Sequence, residues 1–98
     1  MKVNITKPAQ KSLGKIGGYY GKNSTHYKKL KTDIKDKSKL LSDHPKMGQE
    51  EEHLKKLGQG HRYVMVAKLY KLIYLIAAPF IFITDIFDTR QDPDKMKP

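Results

Sequence analysis

The feature that most constrains this chain is its apolar C-terminal third, residues 61–92, which holds most of the β-branched and aromatic side chains. Short breaks divide it into three apolar runs: the first ends at Ala67-Lys68, the second covers residues 70–76 and the third residues 80–87. The second break contains Pro79, and proline is poorly tolerated inside a helix or a central strand. Runs of this length are typical of strands, so we predict three consecutive strands rather than one long helix.

A membrane-spanning helix is the main alternative for the stretch from Leu69 to Phe87. Two charged residues, Lys71 and Asp85, lie within this stretch, and Pro79 falls at its middle. A span needs about 20 predominantly apolar residues, and a charge at membrane depth is costly. We therefore interpret the stretch as part of a sheet in a soluble protein.

The N-terminal half predicts one strand and two helices. Residues 2–6 alternate as in a short strand, and Pro8 then stands where the first turn of a helix favours proline. Apolar residues at spacings of three and four predict a helix up to about residue 20 and a second helix that ends before Pro45. The apolar positions are Ala9, Leu13, Ile16 and Tyr20 in the first helix and Tyr27, Leu30, Ile34 and Leu41 in the second.

These elements predict a single α+β domain over residues 1–98 with the order β-α-α-β-β-β. We expect the helices to form a hairpin on one face of a small, mainly antiparallel sheet. Alternation along the second apolar run would place Tyr70, Leu72 and Tyr74 on one face and Lys71 and Ile73 on the other. The uncovered face is expected to be wet and to offer a binding surface, and residues 93–98 are expected to form a tail.

Composition limits the chemistry that the chain can perform. The net charge is +10, from 18 lysines and two arginines against 10 acidic residues, which favours partners that are polyanions. There is no cysteine, and no pair of histidines has the spacing that a zinc site prefers, so we predict neither a metal nor a cofactor. The first residues lack the apolar stretch of a signal peptide, which makes the cytoplasm the expected location.

The candidate functional residues are cations at the ends of the predicted strands. Arg62 starts the first C-terminal strand, Lys71 lies in the second, and Arg90 follows the third. In an antiparallel meander they can converge, together with His61 and a loop that contributes either Lys46 or Lys55-Lys56. Such a cluster could stabilise the phosphate of an RNA undergoing cleavage, or bind DNA, a nucleic-acid enzyme or an acidic protein. The alternative is that these residues only solvate the strand ends.

Several short motifs, in order and spacing, resemble the RelE/ParE superfamily of type II toxins from bacterial toxin–antitoxin modules. The resemblance covers almost the whole chain. The matching segments are Thr6-Lys7-Pro8-Ala9, the helix with Leu13-Gly14-Lys15-Ile16-Gly17-Gly18, the turn Pro45-Lys46-Met47-Gly48, Arg62, Val64-Met65-Val66, the strand Tyr70-Lys71-Leu72-Ile73-Tyr74, and the closing Arg90-Gln91-Asp92.

The resemblance implies a small cytoplasmic toxin held inactive in a hetero-oligomer with a cognate antitoxin, whose C-terminal segment wraps it. Members of the superfamily divide by target. RelE-like toxins cleave mRNA in the ribosomal A site with Lys, Arg and often Tyr or His near the C-terminus, whereas ParE-like toxins inhibit DNA gyrase and are not enzymes.

The chain departs from the ribonuclease pattern at two places. Phe87, Asp88 and Thr89 stand where the ribonucleases carry His or Tyr, and none of them is a general acid near neutral pH without a large shift in its pKa. Lys71 replaces the usual arginine, which loses the planar guanidinium fork. We therefore expect a ParE-like gyrase inhibitor rather than an enzyme.

Two other functions stay open at this point. A RelE-like ribosome-dependent endonuclease would use Arg62, Lys71 and Arg90, with His61 or Glu52 for proton transfer. A non-toxic, basic nucleic-acid-binding accessory protein is the third hypothesis. For target binding of either toxic kind, the candidate residues are Arg62, Lys71, Arg90, Lys55 and Lys56.

Overall fold

The computed structural model describes residues 1–98 and has the order of elements that the sequence predicts, with one additional short strand. The strands are β1 (Lys2–Ile5), β2 (Gln49–Glu50), β3 (Arg62–Val66), β4 (Tyr70–Ala77) and β5 (Phe80–Asp88); the helices are α1 (Lys7–Tyr20) and α2 (Thr25–Asp43), and the 3₁₀ helices are Glu52–Leu57 and Pro93–Lys95. The three predicted C-terminal strands are therefore confirmed. The break at Ala78-Pro79 is the two-residue turn between β4 and β5, where Ala77 pairs with Phe80.

The five strands form one mixed sheet with the order β1-β5-β4-β3-β2. The pairs from β5 through β2 are antiparallel, whereas β1 runs parallel to β5. The register shifts between Ile73 and Tyr74, opposite a bulge in β5. Because β1 pairs only with residues 80–83, the second half of β5 extends beyond it.

Both helices pack on one face of this sheet and enclose the main hydrophobic core. Tyr70, Leu72 and Tyr74 point into this core and are fully buried, as the alternation of β4 predicts. The side chains of Thr6 and Ser24 cap the helix N-termini by accepting hydrogen bonds from backbone amides, each worth about 1 kcal/mol. Neither helix is both long and apolar enough to cross a membrane.

The opposite face of the sheet is not open to water at its centre, so that expectation is wrong. A second cluster lies there, made of the buried side chains Leu54, Ile73, Phe87 and Met96. Leu54 comes from the first 3₁₀ helix, and Met96 belongs to the C-terminal segment that was predicted to be a tail. The prediction failed because a few apolar residues in irregular segments suffice to cover a narrow sheet. We refer to this as the tail-covered face.

The turn between β3 and β4 links the sheet to α2. Ala67 and Lys68 adopt left-handed conformations with φ of 49° and 58°, which are unfavourable for residues other than glycine. The Asp33 carboxylate on α2 accepts a hydrogen bond from the Ala67 amide at 2.8 Å and pairs with Lys37 at 3.1 Å. Asp33 therefore holds the strained turn against the helix layer.

Candidate functional site

Lys71 lies on the tail-covered face and is bound by an acidic partner. Its Nζ is 2.7 Å from a carboxylate oxygen of Glu51, whose side chain is only 3% exposed. The same Nζ lies 4.3 Å from the centre of the Tyr63 ring, within the range of a cation–π interaction. The charge of Lys71 is thus balanced within the protein.

Arg62 fastens the loop between α2 and β2. It pairs with Tyr74 across β3 and β4, and its Nη1 donates a hydrogen bond to the Gly48 carbonyl at 2.7 Å. The Tyr74 hydroxyl donates to the Pro45 carbonyl and accepts from the Gly48 amide, at 2.7 and 3.0 Å. Gly48 is required, because a Cβ there would lie 2.5 Å from the Tyr74 hydroxyl and 2.7 Å from the Tyr63 carbonyl oxygen.

Arg90 follows β5 and binds the last residue of that strand. Its Nη2 donates to Asp88 at 2.8 Å and to the Tyr20 hydroxyl at 3.0 Å. Hydrogen bonding from Arg90 holds the pKa of Asp88 below its usual value, although burial opposes this effect. The same bonds raise the pKa of Arg90, so the guanidinium stays charged.

An aromatic cluster that the sequence did not predict adjoins Arg90. The rings of Tyr20 and His26 lie 4.0 Å apart, and His26 Nε2 is 2.7 Å from the Tyr70 hydroxyl. Burial, together with the neighbouring Tyr20 and Asp88, raises the pKa of Tyr70 to about 12. No sequence signal reveals this cluster, because its members come from the end of α1, the start of α2 and the start of β4.

The three cations do not share one cleft. Arg62 lies opposite Tyr74 and Asp88 lies opposite Tyr70, so Arg62 and Asp88, the residue that Arg90 binds, are displaced by four residues, or about 13 Å, along β4. Lys71 alternates with Tyr70 and therefore belongs to the other face of the sheet. Whether any of the three binds a target stays a prediction.

The remaining predicted site residues lie in the first 3₁₀ helix or shortly after it. His61 is 3% exposed, and neither ring nitrogen has a hydrogen-bond partner within the protein. Burial lowers the pKa of His61, and the backbone of Pro98 and the charge of Glu51 offset only part of this effect. Glu52, Lys55 and Lys56 are exposed. No three His, Asp or Glu side chains lie close enough together to hold a metal ion.

Two surface grooves flank the N-terminal half of the chain. One, of about 580 Å³, lies between α1 and the end of β5, and we call it the α1–β5 groove. The other, of about 660 Å³, follows the outer edge of β1 between α1 and α2, and we call it the β1 groove. Its apolar residues are Met1, Val3, Ile5, Leu13 and Ile34, and the lysines that line it are Lys2, Lys31, Lys35 and Lys39.

A helix hairpin packed on a mainly antiparallel sheet, with the two helices between the first strand and the last three, is the architecture implied by the RelE/ParE resemblance. The family model described as "ParE toxin of type II toxin-antitoxin system, parDE" matches residues 3–93. The chain therefore belongs to the ParE toxin family of type II toxin–antitoxin systems, which implies an antitoxin partner. A comparison with curated proteins finds no match.

Proposed function

We propose that this toxin inhibits growth by binding DNA gyrase in the cytoplasm, and that it is not an enzyme. The observation that carries the proposal is that Arg62, Lys71 and Arg90 each have a partner within the protein and point to different places. Arg62 binds backbone carbonyls, while Lys71 and Arg90 bind the carboxylates of Glu51 and Asp88.

RNA cleavage requires a cation at the phosphate and a group that transfers a proton within hydrogen-bond reach of the reacting atoms. His61, one candidate for proton transfer, is buried. On the sheet face that presents Lys71, the cluster of Leu54, Phe87 and Met96 covers the centre, and the groove of about 450 Å³ that remains is lined by Glu51, which is paired with Lys71. This arrangement supports a surface that binds a protein target better than it supports a nuclease centre.

The antitoxin is expected to occupy the β1 groove. The amides of Lys2 and Thr6 donate to carbonyls at the β5 side of the strand, so the alternating backbone groups of Val3 and Ile5 face the open edge of the sheet. An extended peptide can add to such an edge as a further strand. The apolar floor and the lysines along the groove suit an amphipathic, acidic segment, whose association would be accelerated by the positive charge.

One observation favours the RelE-like alternative. The His26–Tyr70 pair places an imidazole and a phenol beside Arg90. These are the types of group that the ribonucleases carry near the C-terminus and that this chain lacks there. However, the high pKa of Tyr70 disfavours its anion near neutral pH, and Arg90 is paired with Asp88.

Two assays with the purified protein separate the alternatives. We expect gyrase supercoiling of plasmid DNA to be blocked, while mRNA on stalled ribosomes stays intact when its ends are mapped by primer extension. Cleavage of ribosome-bound mRNA with normal supercoiling would contradict the proposal, and His26→Ala would then be expected to abolish that cleavage. As a matched control for partner binding, Lys35→Ala/Lys39→Ala should weaken antitoxin binding without changing gyrase inhibition.

A further inference from the structure

The α1–β5 groove is lined by an aromatic ring whose surface is exposed. Tyr19 is 85% exposed, and its ring contacts Tyr20 edge-on at a centroid distance of 4.9 Å and an interplanar angle of 79°. Tyr20 is held in turn by His26 and by the guanidinium of Arg90. The Tyr19 ring therefore presents an exposed aromatic surface on which a flat group can stack.

Unpaired cations stand beside this ring. Lys15 precedes Tyr19 by four residues on α1, so the two side chains are neighbours on one side of the helix, about 6 Å apart at their bases. Lys95 lines the same groove from the C-terminal segment. Neither lysine takes part in an ion pair of the protein. The groove thus offers positive charge and an aromatic surface side by side.

Both carboxylates that line the groove have binding partners within the protein. Asp85 accepts hydrogen bonds from the Ser12 hydroxyl at 2.6 Å and from the Lys97 amide at 3.0 Å. Asp88 is bound by Arg90. The four cations that line the groove, Lys15, Arg90, Lys95 and Lys97, outnumber these two carboxylates, so the groove presents a net positive charge to a ligand.

The groove suits a nucleic acid better than a peptide strand. β5 extends beyond β1 here, and the C-terminal segment packs beside it. The Lys97 amide donates to the Asp85 carboxylate, and the Thr84 hydroxyl donates to the Lys97 carbonyl at 3.5 Å. A strand added to this part of β5 would have to displace the Lys97 segment. Stacking of bases on aromatic side chains next to phosphate-binding cations is how proteins bind single strands without sequence preference.

We propose that the α1–β5 groove binds single-stranded nucleic acid, with a base stacked on Tyr19 and phosphates at Lys15 and Lys95. Base faces are free to stack on a protein side chain in a single strand, whereas they are hidden within a duplex. This activity goes beyond gyrase inhibition and is carried by a different part of the surface from the β1 groove.

The test measures binding of a fluorescein-labelled dT12 oligonucleotide to the intact protein by fluorescence anisotropy at several salt concentrations. Tyr19→Ala should weaken binding by about tenfold, whereas Tyr19→Phe should retain it, because the aromatic face is kept. Lys15→Ala/Lys95→Ala should reduce the slope of log K against log salt by roughly 1.4, the value for two phosphate contacts on a single strand. Lys35→Ala/Lys39→Ala removes the same charge from the β1 groove and should leave that slope nearly unchanged.

Three results would overturn the proposal. The first is an unchanged dT12 affinity in Tyr19→Ala, which would leave only general attraction of a polyanion. The second is a duplex of the same length that binds as tightly as dT12. The third is a polyglutamate peptide that binds with the same dependence on Tyr19, which would make the groove a site for an acidic polypeptide. Circular dichroism checks the folding of each variant, and the absence of gyrase from the assay keeps its outcome separate from the proposed function.

Discussion

The two faces of the sheet are covered in different ways. The helix-covered face buries a continuous core of 12 residues beneath α1 and α2. The tail-covered face buries four residues beneath a 3₁₀ helix and the C-terminal segment, next to the ion pair of Lys71 and Glu51. Regular helices bring long apolar stripes to one side, whereas irregular segments contribute only single anchors such as Leu54 and Met96.

This difference indicates which side of the toxin sets its global stability and which side opens locally. Segments with few buried apolar contacts open at lower free energy than the core elements. We therefore expect the helix-covered face to set the global stability and the tail-covered face to open locally. The predictions below test this comparison, from the largest expected effect to the smallest.

Truncation of the core on each face should have unequal effects. Leu72→Ala removes a fully buried side chain from the helix-covered face and should lower the free energy of unfolding by about 2–5 kcal/mol. Met96→Ala on the tail-covered face should cost only about 1 kcal/mol, because the terminal segment can detach without global unfolding. Urea denaturation followed by circular dichroism measures both values. Equal losses would show that the two clusters unfold as one unit.

Breaking the ion pair of the tail-covered face should lower the stability of the protein, and a second substitution should restore it. Lys71→Met leaves the buried Glu51 carboxylate without its partner and should cost about 1–3 kcal/mol. Adding Glu51→Gln removes the uncompensated charge and should restore most of that stability. The double variant should still arrest growth if Lys71 is not catalytic. A folded double variant without toxicity would instead place Lys71 in the functional site.

Acid should weaken the tail-covered side before the helix-covered side. Burial lowers the pKa of His61 below its usual 6.5, so the unfolded chain binds a proton more readily and stability is lost as the pH falls below about 6.5. On the other side, burial raises the pKa of Asp33, but hydrogen bonds from Ala67 and Lys37 outweigh it and lower the value below 3.8. The stability that Asp33 contributes is therefore present above pH 3.8 and lost only as the pH falls through its folded-state pKa.

Thermal unfolding between pH 8 and pH 3 checks this order. His61→Phe should remove the decrease near pH 6, by up to about 1.4 kcal/mol per pH unit, and leave the decrease at lower pH. Asp33→Asn should leave the decrease near pH 6 and reduce the decrease at lower pH, to which Asp88 also contributes. A pH profile that His61→Phe does not change would show that His61 is not the group responsible.

The smallest expected effect concerns the helix layer. Gly18 lies on α1 with open space around it, so Gly18→Ala should stabilise the protein by about 0.5–1 kcal/mol. Gly17→Ala is the matched control, because its Cβ would lie 2.6 Å from the Tyr27 ring, and it should lower the melting temperature. If both variants raise the melting temperature, the packing of α1 against α2 is looser than the structure indicates.

The comparison also explains which parts of the site were predictable. The pattern around Pro79 and the alternation of β4 predicted the strands and the face that each residue occupies, because these depend on local backbone geometry. The separation of Arg62 from Lys71 depends on the register between β3 and β4, which a strand's own sequence does not specify. The cluster of Tyr20, His26 and Tyr70 depends on how the helix hairpin is seated on the sheet.

By itself the sequence determined the order of elements, the helix stripes and the excess of positive charge, since each follows from the identity and spacing of neighbouring residues. Only the tertiary structure decided that Glu51 neutralises Lys71, that Met96 closes the second face and that Tyr19 stands free beside Lys15. These outcomes depend on contacts or exposure set by the packing of elements far apart in the chain. The spacing of neighbouring residues in the sequence does not indicate them.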